Sequence, residues 1–445
     1  MNERSQGADR YVVISADCHG GADLLQYRDY LDPGFRDDFD RWVVSFENPY
    51  EDLEGEDGPR NWDSERRIRE LENDGVVAEI LFPNTVPPFF RHSSLGSQLA
   101  NPSPRDLELR WAGLRAHNRW LADFCGDGDG RRAGVIQIAL HDIAGSVREV
   151  EWAVEAGLTG GVLLPGAPPG SGLPPLHDLE YYEPLWRACE EARFPVNCHS
   201  GGAGPRPDDS PVGHVLFMLE LAWWDQRVLR TLVLGGVLER HPDLHFAFTE
   251  AGMSWIPREL DALDVFFDSM ASPQAGELSF GQQVAAGLSC RPREYWRRQC
   301  HVGASFMHPS ERALVDEIGR DTIMWGSDYP HVEASYPYSR EAICLTFGGA
   351  PEAEAELILG GNAARLYRFD VDPLGRRAAA IGPRRQDVAR GLALMDIPPG
   401  AAKSPAFAGL TSGSNLSRWA DNRAAEDTTR DQESAGATSS MNRTM

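Results

Sequence analysis

Eight short apolar segments alternate with amphipathic helical patterns along most of this chain. Several of them, such as EILFP and GVIQIAL, are apolar almost throughout, which is typical of strands covered on both faces. Strands that alternate with helices eight times predict an α/β fold, a (β/α)8 TIM barrel with long βα loops. An open doubly wound sheet is the alternative, although no GxGxxG follows the first strand. The predicted strands are residues 11–19, 77–83, 133–140, 159–166, 195–201, 244–250, 299–306 and 322–328.

The same pattern sets the predicted domain boundaries. The periodic region closes near NAARLYRFD, so we expect a barrel over residues 1–372 and a C-terminal extension over 373–445. From about residue 398 the extension is rich in Ala, Ser, Gly and Thr, and this composition predicts mostly disorder. Residues 20–61 and 84–105 follow the first two strands and are long enough to be loops that enclose a substrate.

Charge and composition exclude several classes of partner. The formal net charge of −24 argues against nucleic acid and anionic membranes, since both require a basic surface. No run of 18 apolar residues predicts a membrane span, and the polar start lacks an apolar signal core. The seven cysteines are scattered without a pattern, as in a reducing compartment. We therefore expect a cytoplasmic protein that acts on a small molecule.

Four residues that can bind a metal end three of the predicted strands. Asp17 and His19 lie two apart in ISADCHG, so both side chains point to one face of the first strand. His199 ends the fifth strand and Asp328 ends the eighth. In a TIM barrel these strand ends converge on one mouth, where the active sites lie. Carboxylate and imidazole ligands suit a divalent transition metal, so the sequence predicts one metal ion bound by these four side chains.

Four more residues are candidates for the same site, each with a simpler alternative. Glu250 ends the sixth strand, where it could act in catalysis or form a buried ion pair. Arg67 could bind a substrate carboxylate through its two-pronged donors, or be a solvated helix residue. His331 and His301 could form hydrogen bonds that orient the metal ligands, or could have only a structural role.

These motifs resemble the amidohydrolase-related branch of the amidohydrolase superfamily, which includes aminocarboxymuconate semialdehyde decarboxylase and the resorcylate-type decarboxylases. The resemblance covers residues 11–370, and its most specific motifs are ISADCHG, WDSERRIRELENDGVVAEILFP, YYEPLWRACEEARFPVNCHSGG, HPDLHFAFTEAGMSWIP and MWGSDYPHVE. It implies a metal-dependent (β/α)8 barrel, a dimer, and one zinc or manganese ion. The acid-x-His form of the first-strand pair is more similar to the resorcylate-type enzymes.

The resemblance also implies roles for individual residues. It makes Asp17, His19, His199 and Asp328 the metal ligands, Arg67 the group that grips a substrate carboxylate, and Glu250 the sixth-strand glutamate. Two features depart from the pattern. The catalytic histidine of the decarboxylases falls at Ala247 here, and Lys403, the only lysine, lies in the extension. No barrel lysine can therefore bridge a second metal.

Three functions fit these residues. Our main expectation is hydrolysis of a small amide, ester or lactone, in which the metal activates water and Asp328 transfers the proton, with Glu250 and Arg67 in the same site. The alternative is nonoxidative decarboxylation of a small aromatic or unsaturated carboxylic acid. Ala247 counts against this alternative, whereas the resemblance favours it. A metal-binding scaffold without catalysis is the third.

Overall fold

The fold is described by a computed structural model, which covers residues 9–48, 55–91, 102–168, 170–202, 204–205, 210–274 and 276–410. Each of the eight predicted strand segments overlaps an observed strand, and the third is divided into two. The strands are β1 (Ile14–Gly20), β2 (Ala78–Pro83), β3 (Arg132–Gly134), β4 (Ile136–Gln137), β5 (Val162–Leu163), β6 (Val196–His199), β7 (Phe246–Thr249), β8 (Cys300–Ser305) and β9 (Ile323–Gly326).

All paired strands are parallel, in the orders β1-β2-β3 and β4-β5-β6-β7-β8-β9. β3 and β4 belong to one run around Val135, whose N–H donates to Leu81. Between the residues that follow β9 and those of β1, the Asp328 N–H donates to the Asp17 carbonyl at 2.8 Å, and the His19 N–H donates to the Tyr329 carbonyl at 2.7 Å. These bonds join the last strand to the first, so the sheet closes into the (β/α)8 barrel that the sequence predicts.

Helices surround the barrel and fill its long connections. Aspartates cap several of them: the side chain of Asp63, for example, accepts the N–H of Arg66 at the start of Ser64–Asn73. The α-helices are Tyr27–Tyr30, Arg36–Val43, Ser64–Asn73, Pro104–Gly126, Ile143–Glu155, Leu179–Ala192, Pro211–Leu234, Val237–Arg240, Ile256–Ala271, Gln282–Ala286, Pro292–Gln299, Val315–Ile318, Ser339–Phe347, Glu352–Glu356, Asn362–Tyr367, Val371–Ile381 and Arg385–Arg390.

The strands are apolar on both faces because each face packs against a different partner. One set of side chains fills the barrel interior, with Ile14, Ile80, Ala247 and Met324 among its members. The alternating set packs outward against the helices. Tyr367, at the end of its helix, donates a hydrogen bond of 2.7 Å to Asn197 within the barrel. The described part of the interior is thus a packed core, and a ligand can bind at the mouth.

Within the C-terminal extension, the first residues of the segment predicted to be disordered differ from the prediction. Residues 398–410 were expected to belong to a mostly disordered tail, but they form the short 3-10 helices Pro399–Lys403 and Pro405–Phe407. Phe407 is fully buried in a cluster with Ala342 and the half-buried Tyr338. Phe407, together with the buried Ala401 and Ala406, therefore holds this stretch on the barrel. Residues 411–445, like 49–54 and 92–101 of the two long loops, lie outside the described residues.

Candidate metal centre and active site

The carboxyl ends of four strands bring the candidate ligands together. Asp17 and His19 lie on β1 and His199 ends β6, while Glu250 directly follows β7 and Asp328 follows β9 by two residues. Asp17 and Asp328 are fully buried, and the two histidines are at most 3% exposed. These residues are distant in the sequence, and the barrel gathers them at one point of its mouth.

The distances between their donor atoms suit a single divalent ion. The His19 Nε2 atom lies 3.2 Å from the Asp17 Oδ1 and 3.1 Å from the Asp328 Oδ1. The His199 Nε2 atom lies 3.5 Å from the Asp17 Oδ1 and 3.1 Å from the Glu250 Oε2. Ligand atoms about 2.1 Å from one metal ion are themselves roughly 3.0–3.4 Å apart. The cluster therefore has the dimensions of one coordination sphere.

Four of these atoms are buried without a hydrogen-bond partner. They are Oδ1 of Asp17 and of Asp328, and Nε2 of His19 and of His199. Buried polar atoms are rarely left in this state, and a bound ion is one of the recognised explanations. Donor atoms of Asp17, His19, His199 and Glu250 lie within 4.8 Å of one another, and Oδ1 of Asp328 lies 3.1 Å from Nε2 of His19, so the residues present fit a divalent metal ion.

Hydrogen bonds behind the cluster orient its imidazoles. The Nδ1 atom of His19 lies 3.3 Å from the Pro83 carbonyl, and the Nδ1 atom of His199 lies 3.1 Å from the Ser200 carbonyl. Because a carbonyl can only accept, each Nδ1 carries a proton, and Nε2 is the nitrogen of each ring that can bind an ion in the site. This is the tautomer that a metal ligand needs.

The carboxylates are oriented in the same way. The hydroxyl of Ser305 donates to Oδ2 of Asp17, which leaves Oδ1 directed at the histidines. The Nδ1 atom of His331 lies 3.0 Å from Oδ2 of Asp328, and its Nε2 atom lies 3.0 Å from the side-chain oxygen of Asn84. His331 thus contacts Asp328 directly, and its ring centre lies 4.1 Å from that of His19.

Ser305 and Asn84 were not among the predicted site residues. Both lie at the barrel mouth: Ser305 is the last residue of β8, and Asn84 directly follows β2. A small polar residue at that position was the signal that could have found them.

Two of the site carboxylates have strained backbones. Glu250 and Asp328 adopt left-handed conformations, with φ of 62° and 61°. Residues other than glycine rarely do so, and the cost is of the order of 1 kcal/mol each. Strain of this kind is concentrated at functional sites, where it directs a side chain that a regular strand would point elsewhere.

The site has an excess of negative charge. Burial raises the pKa of Glu250 well above its usual value, and the charges of Asp328 and Asp17 raise it further. Burial would lower the pKa of His19, but Asp17 and Asp328 outweigh it and raise that pKa to about 10. The carboxylates therefore favour a positive charge at the position between them, as a cation site does.

Arg67 lies elsewhere, and the prediction that it grips a substrate carboxylate is corrected. Its side chain is fully buried, and its Nε and Nη2 atoms pair with the carboxylate of Glu79 at 2.7–2.9 Å. Its Nη1 atom donates to the carbonyl of His19 at 2.6 Å and to that of Arg60 at 3.0 Å. Arg67 thus fixes the end of β1 from behind and does not face the mouth.

His301 also lies away from the centre. It is the second residue of β8, at the opposite end of the barrel from Ser305, and its Nε2 atom lies 3.1 Å from the Nδ1 atom of His245. Burial lowers the pKa of His301 to about 3, so this imidazole is neutral. The prediction that His301 supports the metal ligands is therefore corrected.

The sequence profile described as amidohydrolase matches residues 87–369, which is more than half of the chain. The chain belongs to the amidohydrolase family. It is therefore an enzyme of a metal-dependent superfamily, as the resemblance implied. A comparison with curated proteins gives no match.

Solved structures of amidohydrolase-type barrels share its fold. An amidohydrolase from Mycobacterium avium subsp. paratuberculosis is 20% identical with a TM-score of 0.59, over 80% of this chain and 99% of its own. The 2,6-dihydroxybenzoate decarboxylase from Rhizobium is 18% identical with a TM-score of 0.56, over 80% and 99%. The 5-carboxyvanillate decarboxylase from Novosphingobium aromaticivorans is 19% identical with a TM-score of 0.59, over 83% and 100%, and was solved with manganese and 4-hydroxy-3-methoxy-5-nitrobenzoic acid.

In the described parts of this chain, no helix combines the length and the apolar content needed to cross a membrane.

Proposed function

We propose that this amidohydrolase is a metal-dependent nonoxidative decarboxylase of an aromatic carboxylic acid. The observation that carries the proposal is the set of four buried, partnerless donor atoms on Asp17, His19, His199 and Asp328. The likeness to solved decarboxylases, one of them with manganese and a nitrobenzoic acid, supports the reaction and the choice of manganese over zinc. The alternative from the sequence thus becomes the preferred function.

The sequence argument against decarboxylation was the loss of a histidine at position 247. In the structure Ala247 lies in the barrel interior, two residues before the end of β7, where it is fully buried. β7 contributes to the site through Glu250, whose Oε2 atom is 3.1 Å from the His199 Nε2. An acidic group from this strand is therefore present without a histidine at position 247.

A divalent ion bound to the four donor atoms would hold the oxygens of the substrate and stabilise the negative charge that develops on them. Asp328 lies at the same point: the Nδ1 atom of His331 lies 2.9 Å from its Oδ1 and 3.0 Å from its Oδ2, and its Oδ1 lies 3.1 Å from Nε2 of His19. We assign Asp328 the proton transfer. Its proton adds to the ring carbon that bears the carboxylate, the bond between that carbon and the carboxylate breaks, and CO2 leaves. His331 then returns a proton to Asp328 from the solvent side.

The test is CO2 release from 2,6-dihydroxybenzoate and 5-carboxyvanillate by the manganese-loaded protein. Removal of a positioned proton-transfer group typically costs about 10²–10⁴-fold in rate, so we expect Asp328→Asn to lose activity by that factor. The matched control is Asp316→Asn, because the side chain of Asp316 is 82% exposed. If Asp328→Asn released CO2 at the wild-type rate, the proposed role of Asp328 would be wrong.

Hydrolysis of a small amide, ester or lactone is the second candidate. It is favoured by the family to which the chain belongs and by the likeness to the amidohydrolase from Mycobacterium avium subsp. paratuberculosis. The same carboxylates could accept a proton from an attacking water. A pH-stat assay on small esters and lactones separates the two functions. Acid release from these compounds without CO2 release from the aromatic acids would decide for hydrolysis.

A further inference from the structure

A cavity lies beside the metal centre at the same end of the barrel. Its volume is about 420 Å³, and it is formed by the residues that follow β4 and β5, by the long helix Pro104–Gly126 and by Phe90 and Pro102 from the connection after β2. Its apolar lining includes Phe90, Trp111, Leu114, Ile138, Leu140 and Leu164. Pockets of about 300–1,000 Å³ with mostly apolar linings accommodate ligands of drug-like size.

The cavity reaches the backbone next to one residue of the metal centre, His199. Leu164, Pro165 and Gly166 line the cavity, and together with His199 they also line a small gap against Asp225 and Val228 of the helix Pro211–Leu234. Gly166 donates its N–H to the carbonyl of Gly202 at 2.8 Å, and Gly202 donates to the carbonyl of His199 at 3.0 Å. The cavity therefore reaches Gly202, whose backbone is hydrogen-bonded directly to that of His199.

One cation stands in this apolar surface. Among the described lining residues, Arg110 carries the only permanent charge, and its guanidinium carbon lies 4.4 Å from the centre of the Phe90 ring. Burial lowers the pKa of Arg110 to about 10, although Asp106 raises it, so the side chain remains charged at neutral pH. A flat guanidinium stacked on a ring recognises planar anions such as carboxylates.

We propose that the cavity binds the non-reacting part of the substrate, an apolar body larger than one aromatic ring with an anionic group directed at Arg110. The proposal rests on the proposed function only in placing the reacting carboxylate at the metal centre. A single-ring acid occupies the metal end alone and leaves the cavity empty. The preferred substrate is therefore a fused or linked two-ring aromatic acid with a second acidic group.

The experiment compares three probe ligands in calorimetric titrations of the manganese-loaded protein. The probes are benzoate, 2-naphthoate and 2,6-naphthalenedicarboxylate. Burial of the second ring should make 2-naphthoate bind about tenfold more tightly than benzoate. Ala139→Phe places a ring inside the cavity, since Ala139 lines it and is 5% exposed, and should reduce this ratio to about one. Ala353→Phe, at an exposed position, is the matched control and should retain the tenfold ratio.

Two further variants keep the test decisive. If Ala139→Phe fails to fold, Leu107→Trp blocks the cavity from a half-buried lining position and should have the same effect. Arg110→Met should weaken the dicarboxylate by about tenfold and leave 2-naphthoate within about twofold of its wild-type affinity.

The outcomes separate this proposal from the proposed function. Equal affinity of the wild-type protein for benzoate and 2-naphthoate, absence of binding of either, or an unchanged ratio in both blocked variants would overturn the cavity assignment. Tight, cavity-dependent binding of 2-naphthoate by a protein that releases no CO2 from any aromatic acid would support the cavity and overturn decarboxylation.

Discussion

Arg67 shows, at the scale of single residues, that burial decides what a charged side chain can do. The sequence motif suggested a substrate anchor, but the guanidinium is enclosed by Glu79 and by the carbonyls of His19 and Arg60. Nothing in the sequence around Arg67 indicates this pairing, because Glu79 lies on the next strand. The two side chains meet only because the fold places the helix that carries Arg67 beside the strand that carries Glu79. The same arginine is now expected to position His19 instead of binding substrate.

The ion pair of Arg67 leads to the first prediction. Glu79 also accepts a hydrogen bond from Arg132, so one buried carboxylate balances two buried guanidinium groups. Glu79→Gln leaves both uncompensated and should lower the free energy of unfolding by about 3–5 kcal/mol. Urea unfolding measures the loss. Glu108→Gln, which breaks an exposed pair with Arg105, is the control and should change stability little. Similar losses for the two variants would contradict the argument.

Asp74 leads to a prediction about pH. Burial raises the pKa of Asp74 to about 7, above the unfolded value near 4, and its Oδ2 atom has no hydrogen-bond partner. The folded state therefore holds a proton that the unfolded state has lost between these pH values, so stability falls as pH rises from about 4 to 7. Asp74→Asn removes this dependence.

Urea unfolding at two pH values tests the role of Asp74. At pH 8 we expect Asp74→Asn to be more stable than the wild type by an amount of the order of 2 kcal/mol. At pH 5 the difference should shrink, because the wild-type carboxyl is then protonated in the folded state. A variant that is less stable than the wild type at pH 8 would show that Asp74 is ionised and satisfied in the fold.

At the scale of elements, the strands were predictable and the connections were not. Apolar runs reveal strands such as β6 directly, and polar residues at their ends reveal Asp17, His199 and Asp328. By contrast, connections such as residues 309–314 form short 3-10 helices that no apolar run marks. Residues 398–410 read as disordered because one buried phenylalanine, Phe407, is too weak a signal in a small-residue segment. Local sequence patterns indicate the periodicity of a strand or a helix. The conformation of these segments depends instead on the protein surface on which they pack.

The closing strand leads to a prediction about the metal centre. A Cβ atom at Gly326, the last residue of β9, would lie 2.8 Å from the Cβ of Asp17. Gly326→Ala should therefore displace Asp17 while the outer layers of the barrel stay folded. We expect the metal content of the purified protein, measured by elemental analysis, to fall well below one ion per chain. Circular dichroism should remain close to that of the wild type.

Gly375→Ala is the matched control for Gly326→Ala. Gly375 lies within the helix Val371–Ile381, and no atom lies within 4 Å of the Cβ position there. An alanine in a helix is favoured over glycine by about 0.5–1 kcal/mol, so this variant should be slightly more stable and fully metal-loaded. Full metal content in Gly326→Ala would mean that Asp17 tolerates displacement or is not a ligand.

At the scale of the whole molecule, the metal centre joins parts of the chain that are far apart. Asp17 comes from the first strand, His199 from the middle of the chain and Asp328 from the last strand, and Glu250 and Asp328 hold strained backbones. Without a cation the carboxylates of Asp17, Glu250 and Asp328 repel one another in a buried site. A bound ion should therefore stabilise the closure of the entire barrel and not only its mouth.

Metal removal tests this coupling. An ion that binds only the folded state adds about 2.7 kcal/mol of stability at 100 times its dissociation constant. For a barrel of this size, we expect manganese added to chelator-treated protein to raise the melting temperature by a few degrees. His199→Ala removes one donor and should abolish most of that rise, whereas Asp316→Asn should retain it. An equal rise in His199→Ala would place the stabilising ion at another site, since a ligand can stabilise the fold only through the residues that bind it.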